Sequence, residues 1–256
     1  MSVIMLKIGG SVLTDKQKSS TARPDQIDRI AAEIGDSIDS KKLVLIHGAG
    51  SFGHHQALEY GLKAGLSQAN IKGVWPTHHA VNILNSMIID ALYRHGVYAV
   101  PVHPLSSCVL KNGRIEHICL EVVEELLAAG IVPVLHGDVA ADLRKGIDII
   151  SGDQIITALA KGLKADQVGV GTNVDGVHAK DFNTIEDISP ANICKVKETL
   201  IGSRGVDVTG GMYGKIMELM DLASYGIPSL VFNAEKPGNV SEFLQGTCKG
   251  TLIHGD

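Results

Sequence analysis

Val3-Ile4-Met5-Leu6-Lys7-Ile8-Gly9-Gly10-Ser11 is an apolar run, broken only by Lys7, that ends in a glycine pair and a serine. A short run with no alternation of apolar and polar residues reads as a strand buried on both faces, the habit of parallel sheets. The glycines free backbone N–H groups to turn toward an anion, with the lysine beside them. Near the other end of the chain, Asp207-Val208-Thr209-Gly210-Gly211-Met212-Tyr213-Gly214-Lys215 repeats the device: a glycine pair, a helix-like segment and a lysine. A helix N-terminus adds favourable partial charge for an anion. Two such devices suggest a fold in which both ends of the chain grip one polyphosphate, and so phosphoryl transfer.

The same rhythm continues between them. Leu43–His47, Tyr98–Val102, Ile131–Leu135, Gln167–Gly171 and Pro228–Asn233 read as further buried strands. Ile27, Ile30, Ala31, Ile34 and Ile38 fall at helical spacing, as do Val81, Leu84, Met87, Ile88 and Leu92. Val122, Val123, Leu126 and Leu127 repeat the spacing, then Ile155, Ile156, Leu159 and Leu163, then Ile216, Leu219, Met220 and Ala223. Strand and helix in alternation predict an α/β fold with a mainly parallel sheet covered on both faces. One insertion breaks the pattern: Asn112-Gly113, between Val109-Leu110-Lys111 and Arg114-Ile115, is a hairpin signal. No linker-like stretch divides the chain, so 1–256 is expected to form one domain of two lobes, about 1–165 and about 166–256.

Composition narrows the function. The 256 residues are 45% hydrophobic, enough for a sizeable core and against disorder. A net charge of −5 with no basic block gives no footprint for nucleic acid. No apolar run is long enough to span a membrane, and Met1 to Lys7 has no signal-peptide layout. Cys108, Cys119, Cys194 and Cys248 are scattered, which favours buried thiols in a reduced cytoplasmic protein over disulfides. The eleven histidines form no H-E-x-x-H or similar spacing, so no metal-ligating residue is assigned.

Gly48-Ala49-Gly50-Ser51-Phe52-Gly53 matches G-x-G-x-x-G after a strand. A dinucleotide site would need an acidic residue about twenty positions on, at the end of the next strand. Ser67–Gly73 contains no Asp or Glu and no strand-like run, and the loop follows the second strand instead of the first. The alternatives are a second anion nest, with His54 as a side-chain donor at its end, and a plain strand-to-helix turn. His136-Gly137-Asp138 is a third strand end of the same kind. Ser151-Gly152-Asp153-Gln154 precedes a helix, where Ser151 or Asp153 could serve simply as N-cap. Gly171-Thr172-Asn173-Val174-Asp175-Gly176-Val177 is either a nucleotide-edge loop or an Asp-Gly turn.

Taken in order, five segments resemble the amino acid kinase superfamily. They are Leu6–Lys16, His47–His54, Ser151-Gly152-Asp153, Val174-Asp175-Gly176-Val177 and Asp207–Met212. Within it, Lys16 and His54 after Ser51-Phe52-Gly53 are similar to the isopentenyl phosphate kinases, and are shared with the fosfomycin kinases. The resemblance implies an open αβα sandwich, ATP over the C-terminal lobe, the phosphate acceptor over the N-terminal lobe, and Mg²⁺. It implies conversion of isopentenyl phosphate to isopentenyl diphosphate in an alternative mevalonate pathway, and a homodimer. Asn173 departs from the family's usual Asp in this run. By resemblance the nucleotide side comprises Lys7, Gly9, Gly10, Ser11, Gly50, Asn173, Asp175, Gly211 and Lys215. The acceptor side comprises Ala49, His54 and Gly152.

A monophosphate acceptor fits what the motifs lack. Its second pKa is near ~6, so it presents an anionic oxygen at neutral pH without a general base. The barrier is the approach of two anions: unit charges ~4 Å apart repel by roughly 4 kcal/mol at an effective dielectric of 20. Lys7, Lys16 and Lys215 are therefore assigned to a charge clamp, with Lys16 bridging the two phosphates and, by resemblance, Asp153 orienting Lys7 and Lys215. Met87, Ile88, Ile149 and Ile150 are candidates for walling an apolar tail, with isopentenyl and dimethylallyl phosphate as expected acceptors. The alternatives are a fosfomycin kinase or another small-acceptor kinase of the superfamily, and a non-catalytic nucleotide-binding protein.

Overall fold

The computed structural model describes residues 2–38, 41–179, 183–201 and 212–255. Its strands are β1 Val3–Ile8, β2 Lys42–His47, β3 Ala99–Pro101, β4 Cys108–Lys111, β5 Arg114–Ile118, β6 Val132–His136 and β7 Asp138–Asp142. They continue with β8 Gly146–Ile150, β9 Gln167–Thr172, β10 Val177–His178, β11 Thr184–Ile185, β12 Asp187–Ile188, β13 Ser229–Asn233 and β14 Thr251–Ile253. The main sheet has eight strands in the order β12-β14-β13-β9-β1-β2-β6-β3. Its described pairings are parallel except β13 with β14. The amino acid kinase-like α/β sandwich expected from the sequence is the architecture observed, and one sheet runs through both halves of the chain.

Helices cover both faces: α1 Gly10–Leu13, α2 Pro24–Gly35, α3 Gly50–Glu59, α4 Val74–Arg94, α5 Pro104–Ser107, α6 Leu120–Ala128, α7 Gly152–Gly162, α8 Ile193–Ile201, α9 Met212–Ala223 and α10 Asn239–Gln245. Alternation along β1 divides the core. Ile4, Leu6 and Ile8 pack with α2, α4 and α10 on one face, while Met5 packs with α6, α7 and α9 on the other. Lys7 shares the face of Met5 by the period of two, so the strand drives a lysine into an apolar layer at its last turn. It is 5% exposed. A buried ammonium needs a partner, and the site must supply it.

The parallel strands β1, β2, β6 and β9 all end on the same edge of the sheet, at Gly9, Gly48, Gly137 and Asn173. From β1 the chain builds outward through β2 on one side and through β9 and β13 on the other. Such a reversal opens a crevice at the carboxyl ends of the strands, the usual ligand position in open α/β sheets.

Several details differ from the sequence reading. The expected hairpin is present as β4 and β5, but it belongs to a second, four-stranded sheet, β5-β4-β7-β8. The β7–β8 hairpin carries no strong turn signal. It is tied by Asp142, whose carboxylate accepts from the backbone N–H groups of Asn112, Gly113, Arg144 and Lys145. Met87 and Val122 were placed on apolar helix faces, yet both are exposed. Of the four cysteines, all free, only Cys108 is buried.

Candidate active site

A cleft of about 770 Å³ lies over the carboxyl ends of β1, β2, β6 and β9. At its floor Asp153, in the first turn of α7, accepts from two ammonium groups through one oxygen. Lys7 Nζ lies 2.6 Å and Lys215 Nζ 2.8 Å from Asp153 Oδ1. The three residues come from β1, α7 and α9, so the clamp exists only in the folded chain. Ser151 caps α7, its side chain accepting from Gln154 N at 3.2 Å. The two readings of the Ser-Gly-Asp motif therefore divide between its residues: Ser151 caps, and Asp153 holds the lysines.

The electrostatics follow from burial. Desolvation pulls the Lys7 ammonium down, Asp153 raises it and Lys215 lowers it again, leaving a pKa of about 8 against the ordinary 10.5. Burial favours the protonated form of Asp153, but Lys7 and Lys215 outweigh it and hold the carboxyl well below the usual carboxylate range. The trio therefore carries a net positive charge in a desolvated floor, where a charge interacts more strongly than in water.

The glycine loops meet each other as well as the cleft. A Cβ on Gly10 would lie 2.4 Å from Gly50 N, and one on Gly48 would lie 2.5 Å from Gly10 N. Backbone packs on backbone there, which no larger residue permits. Gly50 also has φ +52°, in the left-handed region. Gly9 donates its N–H to Gly171 O at 2.8 Å, so that amide serves the sheet. At the start of α3, Ala49, Gly50 and Ser51 line the cleft, with the Ser51 N–H donated to Thr14 Oγ1 at 3.0 Å. Gly137 marks a cradle: a Cβ there would stand 3.5 Å from Ala49 N and 3.6 Å from Gly152 N.

Lys16 lines the cleft from the exposed segment after α1, and His54 lines it from α3. Desolvation lowers the His54 pKa, and the charge of Lys16 lowers it further. On the β9 side Ser11 Oγ donates to Asn173 Oδ1 at 3.4 Å. Lys7, Gly9, Gly10, Ser11, Lys16, Ala49, Gly50, His54, Gly152, Asp153, Asn173 and Lys215 all line this one cleft. Asp175 does not; its carboxylate is held by Asn233 at 2.8 Å and Lys236 at 2.7 Å. Gly211 and the Asp207–Gly210 part of its motif lie outside the described residues.

The apolar wall differs from the expected one. Ile149 and Ile150 line the cleft, but Met87 and Ile88 do not: Thr77 and Val81 are the residues α4 contributes. Asp138, at the third strand end noted in the sequence, has a partner that the sequence did not disclose. Its side chain reaches the cleft wall, accepts from His78 Nδ1 at 2.8 Å and from Val139 N at 2.8 Å, and is otherwise buried. Burial raises the Asp138 pKa against the effect of His78, and the hydrogen bond to Asp138 raises that of His78. The pair spans sixty positions, so no local pattern could have disclosed it.

The chain is similar to known proteins over almost its whole length. An isopentenyl phosphate kinase of Haloferax volcanii is 39% identical over the full length of both chains. One of Methanothermobacter thermautotrophicus is 38% identical, covering 99% of each chain. A crystal structure of an isopentenyl phosphate kinase superposes with a TM-score of 0.85 at 36% identity, covering 98% of this chain and 99% of that one. The model of the amino acid kinase family matches residues 2–233, and the chain belongs to that family.

Proposed function

We propose that the chain transfers the γ-phosphoryl group of ATP to isopentenyl phosphate, giving isopentenyl diphosphate and ADP. The observation that carries this reading is the Lys7–Asp153–Lys215 clamp at the floor of a cleft that also holds an amide cradle and an aliphatic wall. The full-length similarity to isopentenyl phosphate kinases supports the choice of acceptor. In this reading the acceptor lobe is about 1–165 and the nucleotide lobe about 166–256, the enzyme is a cytoplasmic homodimer, and its product enters an alternative mevalonate route.

The acceptor phosphate sits at Ala49, Gly50 and Gly152, with His54 donating one N–H. Its tail lies along Val81, Ile149 and Ile150. The nucleotide enters from the side of Gly10, Ser11, Asn173 and Lys215. An acceptor oxygen attacks the γ-phosphorus in line, the bond to the β,γ-bridging oxygen breaks, and ADP leaves with the electron pair. Lys7 and Lys215 face the charge on the transferring group and Lys16 bridges the two phosphates, so stabilisation is greatest where the anions are closest. Mg²⁺ in this reading travels with the nucleotide. Mg²⁺ commonly binds through substrate phosphates, and among the described residues no three His, Cys, Asp or Glu side chains converge to hold an ion.

ADP release with isopentenyl phosphate, dimethylallyl phosphate, a ten-carbon prenyl phosphate, UMP, acetylglutamate and fosfomycin tests the substrate. The two five-carbon phosphates are expected to be good acceptors and the ten-carbon one poor. An apolar wall gains roughly 0.8 kcal/mol per buried CH₂ that fits, and overpacking costs about 1–3 kcal/mol. Val81→Ala and Ile149→Ala should move kcat/KM toward the longer tail. Turnover of fosfomycin or UMP with none on prenyl phosphates would overturn the assignment.

Lys16→Ala should lower kcat by about 10²–10³ while ATP binding is retained, the usual cost of one positioned donor. Near-normal turnover would return Lys16 to the solvated surface. The pH profile has a defined sign. The acceptor becomes dianionic above ~6, and Lys7 carries its charge only below about 8. The kcat/KM for isopentenyl phosphate should therefore rise through the first value and fall through the second. A basic limb near the ordinary lysine value of 10.5 would contradict the role given to Lys7.

A further inference from the structure

Two neighbouring strands of the main sheet end on the same dipeptide. β2 closes with His47-Gly48 and β6 with His136-Gly137, and His47 and His136 stand opposite each other in the parallel register. Both imidazoles are buried, and their rings stack with centroids 5.4 Å apart. The motif assignments leave both without a function.

Each ring holds the carbonyl of the glycine that follows it. His47 Nδ1 lies 3.1 Å from Gly48 O, and His136 Nδ1 lies 3.2 Å from Gly137 O. A backbone carbonyl only accepts, so both Nδ1 atoms carry hydrogen. Burial brings the His47 pKa to about 4 and that of His136 well below its ordinary value, so both rings are neutral. Their Nε2 atoms must then accept. His136 Nε2 lies 3.0 Å from His103 Nδ1, which donates to it. His47 Nε2 lies 3.1 Å from Asn85 Oδ1, and with that carboxamide in its other orientation the NH₂ donates to the neutral ring.

The peptide bond converts this into geometry at the cleft. In a trans peptide the C=O of one residue and the N–H of the next point in opposite directions. An imidazole drawing the Gly48 carbonyl into the core therefore turns the Ala49 N–H outward. Drawing the Gly137 carbonyl inward removes a second oxygen from the same place. That place is the cradle beside Gly137, where a Cβ would stand within 3.6 Å of Ala49 N and Gly152 N and 3.4 Å from one carbonyl, Ile150 O. Either carbonyl turned outward would present a negative partial charge to an incoming phosphate.

We infer that His47 and His136 are positioning residues, each pinning the following glycine's carbonyl inward so that the cradle offers the acceptor phosphate an N–H and gains no carbonyl oxygen beyond that of Ile150. The inference rests on the reading that the acceptor phosphate occupies this cradle.

Four variants of the full-length protein separate the possibilities, with KM for isopentenyl phosphate, KM for ATP and Tm as readouts. His47→Phe and His136→Phe keep a ring and lose the donor. His47→Asn and His136→Asn place an NH₂ where Nδ1 stands but leave a void, which lowers Tm. The Phe variants should raise the acceptor KM by about 10- to 100-fold, the range carried by one hydrogen bond to a charged group, and leave the ATP KM unchanged. The Asn variants should melt lower than the Phe variants yet keep an acceptor KM near that of the native protein. An acceptor KM that follows Tm across the set, or equal effects on ATP and acceptor, overturns the inference. Gly137→Ala tests the cradle itself, since its Cβ meets its neighbours only at ordinary contact distances of 3.4–3.6 Å. A raised acceptor KM in Gly137→Ala without one in the Phe variants refutes the histidine role alone. An unchanged acceptor KM in Gly137→Ala refutes the cradle, and the inference with it.

Discussion

One carboxylate oxygen on which two buried ammonium groups converge is the constraint around which the molecule is arranged. Lys7 is driven into the core by the period of β1, and Lys215 arrives from α9, far along the sequence. Without Asp153 these two charges would repel each other, and Lys7, deep in the core, would shed its proton more readily. With it they stay charged and close, at 2.6 and 2.8 Å from one atom. The carboxylate offsets only part of their charge. The remainder is what a triphosphate and a monophosphate need when they are brought together.

The fold provides the rest of the environment without special chemistry. Parallel strands deliver their carboxyl ends to one edge, and reversal of the strand order at β1 opens a crevice there. Glycine is required where the loops after β1 and β2 touch backbone to backbone, at Gly10 and Gly48. These two residues bring the loops together; in the proposed function, presenting amides to the acceptor phosphate falls to Ala49, Gly50 and Gly152. Gly9, whose amide is spent on the sheet, belongs with the first group.

Much of this was legible in the sequence because it is local. Unbroken apolar runs disclosed the central strands, and glycine–lysine combinations disclosed the loops. What escaped was set by distance. The helical period of α4 identifies its apolar face but not which turn reaches the cleft. Ile88 is buried on the same face seven residues beyond Val81, about 10 Å along the axis, where the cleft has ended, and Met87 turns to solvent. The contact between Asp138 and His78 joins a strand end to a helix sixty positions away. The β7–β8 hairpin is fixed by Asp142 reaching backbone amides of two separate turns, a three-dimensional arrangement with no linear signature. Asp175 sits in a recognisable motif, yet Lys236 and Asn233 take its carboxylate away from the cleft.

The most direct measurement is the basic limb of kcat/KM for isopentenyl phosphate in Asp153→Asn, compared with the native protein. Asp153 is the group that raises the Lys7 pKa against burial and Lys215. If this carboxylate keeps Lys7 charged beside Lys215, its neutralisation should move the limb from about 8 to lower pH and reduce activity at pH 7 in a protein that remains folded. A limb that stays where it was, with activity retained, would show that Lys7 keeps its charge without Asp153.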